Sequence, residues 1–397
     1  MGTITELPNA CAIIGGGVIA VEYANVLAGL GVGVSLLCKE EEFMPFLSEE
    51  LRLELRKRMI RDKVLFVPTP ILRIDVGATD DFVRVQLDKV PGQPRRLRVD
   101  LVLYSGGRDA NSETLGCEAA GVELARYGRI KVDESFRTTN PRVYAVGDVV
   151  GPPGLASSAQ MGGRAVASVL FSDKMERLRQ CMLDTSKDIE DVVDDPFFAM
   201  EATSPAGAHR TQEQTEQAAQ TALLGSDDSF PDAGAKEASL FDRVAGAPLT
   251  LWTIPEISSV GLTEEQALVQ GMKKATDGGS VVTGYAYFKD IARGRLSGDA
   301  AGFLKLVSRA DGPTRHVIIG VQIIGEGANE LIQMGSILMH TGSTLEELSN
   351  TPFAAVTLSA LYQVASDDGL CNSPYNLQRH PMRTRVYEEI RPTTDAA

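Results

Sequence analysis

Three small residues near the start of the chain carry the clearest chemical signal. Gly15, Gly17 and Ala20 fill the pattern G-x-G-x-x-G/A, with Gly16, Val18 and Ile19 between them. Each position meets a different demand. Gly15 permits a tight strand-to-helix turn, Gly17 lets backbone approach a pyrophosphate, and Ala20 lets the helix pack close to the strand. The helix that begins there points free N–H groups and a partial positive charge at the phosphates. The pattern follows an apolar run, Ala10 to Ile14, and opens a helical period from Val18 to Leu30, the context a dinucleotide site requires. NAD and NADP are the expected ligands. An NAD-selective site carries Asp or Glu at the end of the next strand to accept from the ribose 2′-hydroxyl. Cys38 and Lys39 stand there instead, with Glu40 to Glu42 slightly late. Lys39 is either the receiver of a 2′-phosphate, so that NADP is tolerated alongside NAD, or a solvated loop lysine.

The elements that position these residues follow a βαβ order. Gly31 and Gly33 stop the first helix, and Val34 to Leu37 resume as a strand. Ser48 is an expected N-cap, with Glu49 and Glu50 in the first turn of a helix ending near Arg61. Phe82 to Leu87 and Arg98 to Arg108 read as strands, which completes a doubly wound α/β unit. A compact stretch from Gly128 to Leu170 follows. From Phe171 to Thr250 there are 16 acidic and 7 basic residues, nine of the net fourteen negative charges, in a Gln-, Asp-, Ser- and Ala-rich segment expected to be a largely disordered insert. After it, LWTIPEISSVG, YAYFKDIARGR and FLKLVS read as strands, and Asn329–Thr341 and Thr351–Ala365 as helices. The tail after 371 is expected to be mobile. The expected division is therefore 1–125, 126–170, an insert at 171–247, an α+β unit at 248–371 and a tail at 372–397.

Composition excludes some classes. A net charge of −14 argues against nucleic acid and against anionic membrane surfaces. No apolar run approaches the ~18 residues of a membrane span, and the first residues have the pattern of neither a signal nor a transit peptide. Five cysteines, none in CxxC or CxxxxC spacing, fit unpaired thiols in a reducing cytoplasm. Four scattered histidines give no zinc pattern.

Further motifs resemble the pyridine nucleotide-disulfide oxidoreductase family. VYAVGDVVG, Val143 to Gly151, preceded by RTTNP, resembles its second flavin motif; the resemblance implies that Gly147 makes the turn and Asp148 bonds the FAD ribitol. LASSAQMGGRAVA, Leu155 to Ala167, resembles the helix start that faces the flavin ring, which assigns Leu155, Ala156 and Ser157 to FAD. LYSGGRDAN, with Gly106 and Gly107, resembles the crossover between the nicotinamide and flavin domains. WTIPEISSVGLTEEQA and GEGANELIQMGSILM resemble the dimerisation domain, which implies a homodimer through 248–371. The resemblance thus gives a Rossmann-like nicotinamide domain, a partial FAD domain and an α+β dimerisation domain. Glu22 resembles a glutamate that lies near the nicotinamide and reaches a lysine of the first flavin half.

Within the family the chain is most similar to the soluble, Si-specific NAD(P)+ transhydrogenases, which pass hydride between NADPH and NAD+ through FAD. Disulfide reductases of the family, such as dihydrolipoyl dehydrogenase, carry a His and a Glu in a run matched here by FAAVTLSALYQVA. Ala355 and Ala360 occupy those places, so the acid–base pair for thiol exchange is missing. A second glycine loop with βαβ context, for the FAD pyrophosphate, is not found. Three expectations follow: a piece of a longer enzyme, a chain completed by a separate one, or an inactive paralogue that binds nucleotide and dimerises.

Overall fold

The computed structural model describes residues 6–76, 82–92, 94–183, 247–297 and 300–376, with 172–183 described by backbone alone. The chain divides into two compact units. The first joins residues up to Gly107 to those from Pro248 onward, and the second runs from Arg108 to Ala247.

Unit 1 begins with β1 (Ala10–Ile14), α1 (Val18–Gly29), β2 (Gly33–Leu37), α2 (Glu49–Arg61) and the short β3 (Leu65–Phe66). A β-meander follows: β4 (Ile71–Val76), β5 (Val83–Leu87) and β6 (Arg96–Val99), a separate three-stranded antiparallel sheet. β7 (Leu101–Tyr104) then returns to pair with β1, giving a parallel sheet in the order β3-β2-β1-β7. The run read from sequence as one strand, Arg98 to Arg108, is thus two strands in different sheets, with Asp100 at the corner accepting from the N–H groups of Asn9 and Ala10. Parallel strands buried on both faces need continuous apolar runs, and ACAII and GVSLL supply them: Cys11, Ala12, Ile13 and Leu36 are fully buried. α1 lays Ala20, Val21, Ala24 and Leu27 on this sheet.

Unit 2 holds α3 (Ala156–Leu183), two isolated bridges and small apolar clusters around Ile130 and Phe136. α3 continues past residue 170, so the start of the expected disordered insert is helical; the rest of that expectation, 184–246, lies outside the described residues. The position expected to end the first domain, residue 125, falls within unit 2.

The remainder of unit 1 is a five-stranded antiparallel sheet, β10-β11-β12-β9-β8, built from β8 (Leu249–Leu251), β9 (Ile257–Gly261), β10 (Val281–Tyr287), β11 (Phe303–Ala310) and β12 (His316–Ile324). Helices α4 (Glu264–Val269), α5 (Ala292–Leu296), α6 (Ala328–His340), α7 (Leu345–Asn350) and α8 (Ala360–Asn372) accompany it. Three expectations need correction. The strand YAYFKDIARGR ends at Tyr287, and its second half turns into α5; Gly294 lies so close to Phe288 that a Cβ would stand 2.0 Å from its carbonyl oxygen. The helix expected at Thr351–Ala365 begins only at Ala360, because Pro352 and Val356, the latter at φ +61°, hold an irregular turn first. Ser48 is the N-cap residue of α2, but its hydroxyl donates to Gln322 Oε1 at 2.8 Å instead of capping the helix. The expected mobile tail lies, from residue 377, outside the described residues.

Both halves of unit 1 share one core. Leu251, Ile257, Phe303 and Ile324 pack in the same apolar cluster as Ala24, Leu27, Leu51 and Leu55. Among the described residues no helix is long and apolar enough to cross a membrane.

Candidate dinucleotide site

The carboxyl end of β1 opens directly into the glycine turn. Gly15 donates to the Leu37 carbonyl at 3.0 Å, and Ser105 donates to Ile14 at 2.8 Å, so the turn is wedged between the ends of β2 and β7. Gly15 has φ +117°, and a Cβ on it would lie 2.4 Å from the Ser105 carbonyl oxygen. A Cβ on Gly16 would lie 2.4 Å from the carbonyl oxygen of Glu42. Gly17 differs: its φ of −82° suits any residue, and nothing stands within 4 Å of the Cβ position.

Gly17 is the N-cap residue of α1 and supplies no side-chain cap, and the first turn holds no acidic residue. A helix N-terminus leaves its first N–H groups without intrahelical partners, and here they sit beside an open position at Gly17. Ser105, whose carbonyl lies against Gly15, has a buried hydroxyl with no hydrogen-bond partner among the described residues. An orphan donor, uncapped N–H groups and space at Gly17 are what a nucleotide pyrophosphate fits. Ser105 is absent from the sequence-derived set because nothing in its spacing marks it; only the return of β7 beside β1 brings it to the turn.

The other residues singled out in the sequence fall into two groups. Val18, Ile19 and Glu22 lie on the first turns of α1; Glu22 Oε1 accepts from the Trp252 N–H at 2.8 Å and so ties α1 to the segment after β8. Cys38 and Lys39 follow β2. Gly106 and Gly107 close the unit, the latter at φ +121°. In unit 2, Gly147 turns at φ +80°, and Asp148 pairs with Arg108 at 3.3 Å. Gly154 would place a Cβ 3.6 Å from Asp148 Oδ1, and Leu155, Ala156 and Ser157 start α3, where the Ser158 hydroxyl donates to the carbonyl oxygens of Pro153 and Leu155. Asp148 and this helix start suit the ribityl chain and ring edge of a flavin. Among the described residues of unit 2 there is no strand–glycine–helix turn for a flavin pyrophosphate.

A cavity of about 100 Å³ lies elsewhere in unit 1, lined by Glu54, Lys57, Arg58, Arg61, Pro255, Ala301 and Gly302; it shares no residue with the glycine turn.

Among the described residues the four cysteine thiols are unpaired. Burial pushes Cys11 up to about 11, opposed by a hydrogen bond involving the Leu103 backbone. Burial likewise takes Cys38 to about 11, with Glu42 and Glu40 adding to the rise and Arg56 opposing it. Thiolates are the reactive species, so both stay inert near neutral pH. Cys117 is buried and Cys371 exposed. In a Cys181→Ser background, Ellman's reagent at pH 8 is expected to titrate Cys371 rapidly and the other three only after denaturation. Rapid release of a second equivalent would contradict the buried assignments.

The parallel sheet and its glycine turn define a Rossmann-like α/β fold, joined to a second half built on an antiparallel sheet. Comparison with known families places it further. Residues 3–163 match the pyridine nucleotide-disulphide oxidoreductase family, and residues 247–365 match the dimerisation domain of the same family. The chain belongs to that family. It is 28% identical over 375 residues to the soluble pyridine nucleotide transhydrogenase of Chromohalobacter salexigens, covering 92% of this chain and 62% of that protein. It is 30% identical over 370 residues to the protein of that name from Hahella chejuensis, with the same coverage. The chain therefore spans about 62% of the length of these relatives. Among solved structures it is similar to the HOCl-induced flavoprotein disulfide reductase RclA from Escherichia coli, at TM-score 0.65 and 21% identity, covering 92% of this chain and 66% of that one. It is also similar to LpdA from Mycobacterium tuberculosis, at TM-score 0.63 and 21% identity, covering 92% of this chain and 62% of that one. At those identities the likeness is one of fold.

Proposed function

We propose that the chain is the nicotinamide-binding and dimerising part of a cytoplasmic FAD-dependent oxidoreductase that passes hydride between NADPH and NAD+. The observation that carries this is the uncapped amino terminus of α1 beside open space at Gly17, in a chain whose relatives are named soluble transhydrogenases. FAD and the nicotinamide ring carry the electrons when bound. The chain's own residues do placement. The N–H groups of Val18 and Ile19 face the pyrophosphate, Gly17 lets it approach, and the Ser105 hydroxyl donates to it. Gly16, held against the Glu42 backbone, fixes the turn. Asp148 accepts from the ribityl hydroxyls, and Leu155, Ala156 and Ser157 turn N–H groups toward the ring. Gly106 and Gly107 keep the crossover free of side chains. Residues 248–371 pair with a second copy.

A disulfide reductase is the second reading, favoured by the likeness in fold to the flavoprotein disulfide reductase RclA. Ala355 and Ala360, in place of an acid–base pair, weigh against it. The purified full chain decides. A yellow protein that uses NADPH to reduce thio-NAD+ supports the proposal. Reduction of lipoamide or glutathione disulfide without nucleotide exchange would replace it by the second reading. Colourless protein that still binds NADH would leave a nucleotide-binding, dimerising chain and remove the enzyme.

A further inference from the structure

Cys38 directly follows β2, at the place where the dinucleotide fingerprint puts its ribose contact, and its neutral thiol is a poor partner for either a hydroxyl or a phosphate. Four charged side chains surround it in two pairs. Lys39 Nζ lies 3.8 Å from Glu42 Oε1, and the Lys39 N–H donates to Glu42 Oε2 at 3.2 Å. Arg56, reaching from α2, pairs with Glu40. This cluster is fastened to the glycine turn: Met44 donates to the Gly16 carbonyl at 2.9 Å, and Gly16 tolerates no Cβ because of Glu42.

The two cations differ. Lys39 is 55% exposed on a loop, whereas Arg56 is 30% exposed and its guanidinium sits 5.1 Å above the Phe66 ring. Phe66 is itself packed edge-on against Phe43 at 5.3 Å. The Arg56 Nε is buried without a hydrogen-bond partner among the described residues, so the guanidinium keeps donor capacity beyond its bond to Glu40.

We infer that the Arg56–Glu40 pair is an exchangeable reader of the adenosine ribose, which lets one site take both nicotinamide dinucleotides. This rests on the nucleotide reading above. With NAD(H), the 2′-hydroxyl donates to Glu40, which Arg56 holds in place. With NADP(H), the 2′-phosphate, at a charge of about −1.5 to −2, takes the planar guanidinium from Glu40 in a two-pronged contact. Glu40 is 55% exposed, so releasing it to solvent costs little. Lys39 adds a weaker point charge by the same exchange with Glu42. Neither Arg56 nor Glu40 is marked by the glycine fingerprint, which looks for one acidic residue at the strand end.

Dissociation constants of NADH and NADPH for the full chain test this, with adenosine 2′,5′-bisphosphate and 5′-ADP as probes lacking nicotinamide. The variants are Arg56→Gln and Glu40→Gln, and Lys57→Gln is the control for loss of one nearby positive charge. The NADPH/NADH ratio of dissociation constants is expected to rise about tenfold in Arg56→Gln and to fall severalfold in Glu40→Gln, with the probe pair following. Ratios that stay fixed, that move in the same direction, or that move as much in Lys57→Gln would overturn the exchange. Failure of the unaltered chain to bind either nucleotide would remove the nucleotide reading itself. Thermal melts of each variant separate a lost fold from a changed preference.

Discussion

Methionine in place of Lys305 is expected to destabilise the protein by about 3–5 kcal/mol, the range for breaking a buried ion pair by removing one member. Lys305 stands in the middle of β11 with its side chain fully buried. Its ammonium bonds Glu50 Oε2 from α2 at 2.7 Å and Glu264 Oε2 from α4 at 2.8 Å. Glu50 also accepts from the Tyr285 hydroxyl, and Glu264 is shared with Lys274 at 2.7 Å. The ammonium thus ties the glycine-turn half of unit 1 to its antiparallel sheet. Removing it leaves two carboxylates facing each other beside an apolar methyl group. Urea denaturation followed by Trp252, the chain's single tryptophan, measures the loss. A triple variant, Lys305→Met with Glu50→Gln and Glu264→Gln, is expected to recover most of it, since no orphan charge remains.

The pH dependence provides an independent check. Burial pushes the Glu264 carboxyl up, but Lys305 and Lys274 together outweigh it and hold the group below its ordinary 4.5. A carboxyl depressed on folding contributes stability above its unfolded pKa and loses it as pH falls through the folded value. Without Lys305 the burial effect has less opposition, so the carboxyl of the variant takes up a proton more readily when folded. The stability gap between the unaltered chain and Lys305→Met should therefore be widest near pH 7 and narrow as pH falls through the carboxylate range. A gap independent of pH would assign the loss to packing alone.

Alanine at Gly15 and alanine at Gly17 are expected to fail in different ways. At Gly15 the backbone lies at φ +117° and the new Cβ meets the Ser105 carbonyl oxygen at 2.4 Å. Strain of that kind costs about 1–3 kcal/mol before the clash is added, so β1, β7 and the turn must shift apart. Both the melting temperature and nucleotide binding should fall. At Gly17 the backbone is ordinary and the Cβ meets nothing within 4 Å. The melting temperature should hold while NADH affinity weakens on the order of tenfold or more, because the methyl group occupies the path of the pyrophosphate. NADH binding by Gly17→Ala at the unaltered affinity would place the phosphates elsewhere.

Periodicity and turn chemistry by themselves determined the strand–glycine–helix unit. Ala10 to Ile14, the GGGVIA turn and the apolar face of α1 are local signals, each set by residues close together in the chain. The same holds for α6, found within one residue of its expected bounds, and for the family resemblance, which rests on short contiguous motifs. The tertiary structure alone decided what lies against those motifs. Ser105 reaches Gly15 only because β7 comes back beside β1 after the meander. Arg56 reaches Glu40 only because α2 folds back beside the loop that follows β2. Lys305 looks like a solvated strand lysine until Glu50 and Glu264 arrive from elements 255 and 41 residues away. Ser48 looks like a helix cap until Gln322, 274 residues distant, offers a buried partner for its hydroxyl. In each case the local pattern specifies an element, while the partner of a polar side chain is chosen by burial. A polar group taken out of water must bond whatever polar group is buried with it, and that neighbour is fixed by packing between distant parts of the chain. The glycine turn was legible because its demands are met by its own residues; the Arg56–Glu40 pair was not, because it is assembled from a loop and a helix that the sequence lists separately.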